Sequence, residues 1–205
     1  MTQQYSATHR TNAMTQLNTD IGASAVIKVF SGSAPANCAA ADTGTLLATF
    51  AGNAGGFGTA SAGVLTASAV ASTTGAAGAG TGTNAGYFRI YPTAATTTND
   101  VVQGTVFPSV ALSTSASTSA NSNILNFTAT TGVAVGMSVS GTGVAVGSTV
   151  LAVSGTTVTM SQASSAGVAS SSAITFGGDM TMANTSIASG QTVNFISLTV
   201  TAFGA

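Results

Sequence analysis

The sequence predicts an all-β protein: a β-sandwich frame preceded by one short helix and interrupted by a small inserted β-module. Three observations predict it. Short runs alternate apolar with polar residues and are punctuated by Gly, Asn and Ser. A single stretch, near the N-terminus, carries helical spacing. Between Ser113 and Phe176 the texture changes, and charged residues vanish.

The helix is expected over Ser6 to Asp20. Ser6 is a suitable cap, Ala7, Met14, Leu17 and Ile21 fall at helical spacing, and Gly22 is a terminator. Asp20 opposes the dipole at that end. Strands are expected at Ala25–Phe30, Thr45–Phe50, Gly63–Ser68, Tyr87–Tyr91 and Val101–Phe107, and finally over Gln191–Phe203. In that last run Ile196, Leu198, Val200 and Ala202 share one face, and Ser197, Thr199 and Thr201 the other. Strands at this spacing suit a sandwich of jelly-roll or immunoglobulin-like type.

The frame is expected at residues 1–112 and 177–205, with the module at 113–176. Serine-rich stretches, Ser113–Ser122 and Ser161–Ser172, bound the module and read as flexible hinges. Within it Thr149–Val153 and Thr156–Met160 form a hairpin turning at Ser154-Gly155. The near-repeat Gly132-Val-Ala-Val-Gly136 and Gly143-Val-Ala-Val-Gly147 is too short for a solenoid and reads as hairpin edges.

Composition narrows function by exclusion. The 205 residues hold 3 Lys+Arg and 4 Asp+Glu, while Ala 38, Gly 25, Ser 26 and Thr 35 make up most of the rest. Three cations cannot neutralise a nucleic-acid backbone, so no nucleic-acid partner is expected. At 44% hydrophobic the chain is apolar enough to fold. No run reaches the roughly 18 apolar residues of a membrane helix, and no signal peptide opens the chain, so neither a membrane nor the ordinary secretory route is expected. A net charge of −1 suits a surface that meets other protein rather than free solution.

Catalytic, cofactor and metal sites are all expected to be absent. His9 is the one histidine, and the carboxylates are Asp20, Asp42, Asp100 and Asp179, with no spacing that pairs them or builds a calcium loop. The glycine-rich tracts Ala51–Gly58 and Gly75–Gly82 lack the lysine of a phosphate loop and read as ordinary loops. Cys38 stands alone, which excludes an intrachain disulfide and leaves pairing with another copy open. In Tyr87-Phe-Arg-Ile-Tyr91, Phe88 and Ile90 share one face, and Tyr87, Arg89 and Tyr91 the other. That second face is either an interface, where Tyr and Arg are enriched, or an ordinary wet surface.

The frame resembles a family of small tailed-bacteriophage virion proteins encoded among head and tail structural genes. The resemblance lies in Ser6-Ala-Thr-His-Arg-Thr-Asn-Ala-Met14, Ile21-Gly-Ala-Ser-Ala25 and Ile27-Lys-Val-Phe-Ser-Gly-Ser-Ala-Pro-Ala-Asn37. It continues in Gly44-Thr-Leu-Leu-Ala48, Ala85-Gly-Tyr-Phe-Arg-Ile-Tyr91 and Gln103-Gly-Thr-Val106, and ends with Asp179–Gln191 and Ile196–Ala202. The module lies outside it, and is similar to Gly/Val/Thr-rich β-units of other phage structural proteins.

The resemblance implies a structural subunit, assembled in the host cytoplasm into a virion. The expected role is capsid decoration or cement; a neck or tail component, a fibre-attachment protein, and a host-surface or glycan-binding module are the alternatives. Expected partners are the major capsid protein or other virion proteins, and copies of the chain itself as trimers or hexamers. The expected contact residues are Tyr5, Met14 and Leu17 of the helix with Tyr87, Arg89 and Tyr91. Deleting Ser113–Phe176 is expected to leave particle incorporation intact.

Overall fold

The computed structural model describes residues 5–51, 57–67, 72–92 and 102–202. The chain divides into two compact units. Unit 1 comprises residues 1–107 and 179–205, and unit 2 comprises residues 108–178. The division falls five residues before and two after the ends of the expected module.

Unit 1 opens with α1 (Ala7–Ile21), followed by β1 (Val26–Ser31), β2 (Leu46–Phe50), β3 (Val64–Thr66), β4 (Thr73–Thr74), a 3₁₀ turn (Ala77–Ala79), β5 (Thr83–Tyr91) and β6 (Val102–Pro108). Unit 2 contributes β7 (Val110–Ser113), β8 (Ile124–Asn126), β9 (Ser138–Gly141), β10 (Val150–Ser154), β11 (Thr157–Met160) and β12 (Ala173–Gly177). The chain then returns through β13 (Met180–Met182), β14 (Ser186–Ile187), β15 (Thr192–Val193) and β16 (Phe195–Thr201). The fold is all-β and sandwich-like, with α1 as its single α-helix among the described residues.

The large sheet of unit 1 runs β2-β1-β5-β6-β13-β16-β3, with β14 paired to β5. Its inward side chains, Ile27, Val29, Leu47, Phe88, Ile90, Met180 and Leu198 among them, form one buried core with Met14 and Ile21 of α1. The helix starts where expected because the Ser6 hydroxyl accepts from His9 N–H at 3.2 Å. It stops because Gly22, at φ 71°, turns its N–H back to Asn18 O. Part of the expected strand Gly63–Ser68 and most of the tract Ala51–Gly58 lie outside the described residues, as does Asp100.

The last strand departs from simple alternation. Met180 pairs with Leu198 and Thr181 with Ser197, but Met182 pairs with Phe195, so the register slips at Ile196. A bulge reverses which side chain faces inward. Ile196 is exposed, and Phe195 packs edge-on against Phe50 at 5.3 Å. The expected placement of Ile196 on the face of Leu198 is thereby corrected.

Unit 2 holds two three-stranded sheets, β10-β11-β8 and β7-β12-β9. Leu125, Met137, Val158, Met160 and Ile174 are buried, and Phe127 meets Phe176 edge-on at 5.6 Å. The hairpin forms, but Ser154 pairs with Thr157, so the turn is Gly155-Thr156, with Gly155 at φ 57°.

The serine-rich stretches are not hinges. They pair with each other: Thr118 and Val168 exchange backbone hydrogen bonds of 2.8 and 3.0 Å, and Thr114 Oγ1 donates to Ala169 O at 2.7 Å. Hydroxyls satisfy buried backbone groups here, which a unit without charges requires.

The near-repeat is likewise not a pair of hairpin edges. Each copy makes two successive turns, closed by Val133 N–H to Thr130 O and Met137 N–H to Ala134 O, then by Val144 N–H to Gly141 O and Ser148 N–H to Ala145 O. The third residue of every turn is a glycine at φ between 81° and 91°, as a type II turn demands. The same six residues, Thr-Gly-Val-Ala-Val-Gly, therefore fold the same way twice, and each presents its second valine, Val135 or Val146, to solvent.

Candidate functional site

β1, β5 and β6 align Lys28, Arg89 and Gln103 in one row across the sheet, on the face opposite the core. Residues 32–45, between β1 and β2, fold over that row. Arg89 is fully buried and uses every N–H of its guanidinium. Nη1 donates to Ala40 O at 2.8 Å and Asp42 Oδ1 at 2.9 Å, Nη2 to Asn37 O at 3.0 Å, and Nε and Nη2 share Gln103 Oε1 at 3.2 and 2.9 Å. Gln103 Nε2 donates in turn to Pro35 O at 2.9 Å.

Tyr87 and Tyr91, two residues either side of Arg89 along β5, flank the row on the same face. Tyr87 stacks on Phe30 at 5.1 Å, donates to Thr43 O and accepts from Thr43 N–H. Tyr91 donates to Asp42 Oδ1, and Lys28 Nζ lies 4.4 Å from its ring centroid. Burial first, and the Asp42 carboxylate beside it second, push the Tyr91 hydroxyl far above the usual tyrosine range.

This corrects the expected contact set. Tyr87, Arg89 and Tyr91 face neither solvent nor a partner, because the chain's own loop occupies their face. A wholly buried arginine is held by carbonyls and one carboxylate, and the three side chains fix the loop to the sheet rather than present a surface. A solitary arginine inside an aromatic strand is the one sequence signal of it. Asn37, Ala40 and Thr43 contribute backbone groups, which leave no trace in residue identity.

The other expected contact residues come together along α1. Tyr5 is exposed and stacks on His9 at 6.1 Å, Leu17 is half-buried, and Met14 is buried in the core. A cavity of about 220 Å³ beside Tyr5, Arg10 and Met14 adjoins one of about 760 Å³ lined by Met14, Leu17, Asp20, Asp179 and Val200; both touch Ala13 and Met14. The helix surface that borders both cavities is the α1 trough. Arg10 is held at one end: its stem lies over Gly63, where a Cβ would come within 2.8 Å of Arg10 Cβ, and Gly63 N–H donates to Thr11 Oγ1 at 3.3 Å.

The described carboxylates are each engaged. Asp20 accepts from Gln16 Nε2 at 3.0 Å, Asp42 from Arg89 and Tyr91, and Asp179 from Thr105 N–H and Oγ1 at 3.0 and 3.1 Å. Among the described residues no three of His, Cys, Asp and Glu gather as metal ligands, and no helix is long and apolar enough to cross a membrane. Phe127 and Phe176, the aromatic residues on which a glycan platform in the module would depend, are spent on its core.

The chain matches no protein-family model, no curated protein and no solved structure.

Proposed function

We propose that this chain is a multicopy structural subunit of a tailed-bacteriophage virion, with decoration of the capsid as its role. One observation carries the proposal: the surface is suited to protein contact, and Lys28 and Arg89, two of the three cations, are buried. Lys28 and Arg89 lie beneath the loop of residues 32–45, whose Asp42 bonds to Arg89, while unit 2 displays Ile124, Val135, Val146 and Leu151 and contains no charged residue. Exposed apolar side chains on an uncharged unit favour association, each contact adding roughly 25 cal/mol per Å² of apolar surface removed from water. Repetition over many copies makes such weak patches sufficient. The frame segments that resemble phage virion proteins support the same role.

Imaging of the virion tests the proposal. Density for this chain repeated over the shell is the expected result. A few copies at a single vertex would make it a neck or tail component, and absence from the particle would overturn the virion role.

A further inference from the structure

We infer that the chain self-associates as a two-fold symmetric dimer through the α1 trough, with Arg10 of each copy against Asp20 of the other. The inference deepens the multicopy reading above and rests on it. The sequence holds three Lys and Arg residues, and Lys28 and Arg89 are buried. Among the described residues Arg10 is therefore the cation that reaches the surface. Its side chain lines the smaller cavity, and its Nε is buried and makes no hydrogen bond to any described residue.

Arg10, Ala13, Leu17 and Asp20 follow each other at intervals of three and four, which places them along one side of the helix. Arg10 and Asp20 are separated by about 15 Å of helix rise. Asp179 lines the trough at the Asp20 end, so one end is cationic and the other carries two carboxylates.

A strip positive at one end and negative at the other is complementary to itself only when the second copy runs antiparallel. That is the requirement of an isologous contact, in which residue i meets j and j meets i. Ala13, exposed near the middle of the strip, lets two helices approach, and Tyr5, Leu17 and Val200 supply apolar area on either side. A second copy fits better than an unrelated partner because one surface satisfies both charge requirements. Exposed ion pairs contribute little affinity and chiefly set orientation, so the pair is weak and salt-sensitive.

Sedimentation of the purified full chain tests the contact. A dimer is expected at low salt, loosening severalfold as added salt shortens the screening length from about 30 Å at 0.01 M to about 3 Å at 1 M. Arg10→Glu and Asp20→Lys should each give monomers with unchanged far-UV circular dichroism. An equimolar mixture should form a 1:1 heterodimer, and the two substitutions in one chain should restore the homodimer. A monomeric wild-type chain at low salt, an oligomer indifferent to both substitutions, or a mixture that stays monomeric would each overturn the inference. The salt series needs no variant, so a misfolded substitution cannot shield it. Particle imaging is independent: a dimer in solution with no density on virions would sink the virion role and leave the dimer standing.

Discussion

Arg89 Nη1 lies 2.9 Å from Asp42 Oδ1, and this ion pair joins the centre of the unit 1 sheet to a loop 47 residues away in sequence. The pair is the middle of a set that includes Gln103 and two tyrosines. Its members hold residues 32–45 in place with hydrogen bonds where an apolar packing face would otherwise be needed.

Arg89→Ala should be severely destabilising. It strands the Asp42 carboxylate, the Gln103 carbonyl and two backbone oxygens under a collapsed loop, and loss of one partner from a buried pair costs about 3–5 kcal/mol. Chemical denaturation should show this loss. Arg89→Lys should recover only part of it, because three donors on a point charge cannot replace a five-donor fork. Equal stability of Arg89→Lys and wild type would contradict the geometry.

Tyr91 supplies a pH signature. Its hydroxyl titrates higher in the folded chain than in the unfolded one, so its contribution is intact below the ordinary tyrosine value of about 10 and declines above it, as the unfolded state releases the proton first. Tyr91→Phe should cost about 1–3 kcal/mol at neutral pH through the lost bond to Asp42. It should also flatten the fall in stability between about pH 10 and 12. An unchanged alkaline slope would count against the burial of this hydroxyl.

Unit 2 should be indifferent to acid. Residues 108–178 contain no Asp, Glu, His, Cys, Tyr, Lys or Arg, so the unit's side chains bind no protons in either state. Expressed alone with blocked termini, it should keep its unfolding free energy between about pH 3 and 9 to within about 0.5 kcal/mol. A larger drift measured by urea titration would refute this.

Excision has a defined place. The chain leaves unit 1 after β6 and re-enters at β13, and these strands are neighbours, with Thr105 bonded to Asp179. Neighbouring strands lie about 4.8 Å apart. Replacing 108–178 by a short glycine linker should therefore leave unit 1 folded, with a single cooperative thermal transition, and should preserve particle incorporation. Deletion of 113–176 cuts β7 from its partner β12 and should fold less well. Equal behaviour of the two deletions would argue against the boundary.

Much of the architecture was legible in sequence wherever one physical rule acts alone. Ser6 and Gly22 mark α1 because capping is local, and alternation correctly separated Phe88 and Ile90 from Tyr87, Arg89 and Tyr91. What covers the second face was not legible, because the covering loop bonds through the carbonyls of Pro35, Asn37, Ala40 and Thr43. The serine-rich stretches misled for a related reason: composition reports flexibility in an isolated segment, but Thr114 and Thr118 find partners fifty or more residues away. Ile196 failed through a one-residue bulge, which alternation cannot anticipate. Of the trough, Met14 and Leu17 could be named from helical spacing, whereas Tyr5 precedes the helix and Asp179 arrives from the distant approach to β13.

The inward turn of Lys28 and Arg89 has a consequence for survival outside a cell. A trypsin-like protease needs a basic residue in an extended, accessible stretch, and the sequence offers three. Two lie in paired strands beneath a bonded loop, the third on a capped helix, and residues 90–205 contain none. To an enzyme of that specificity the folded chain is close to featureless.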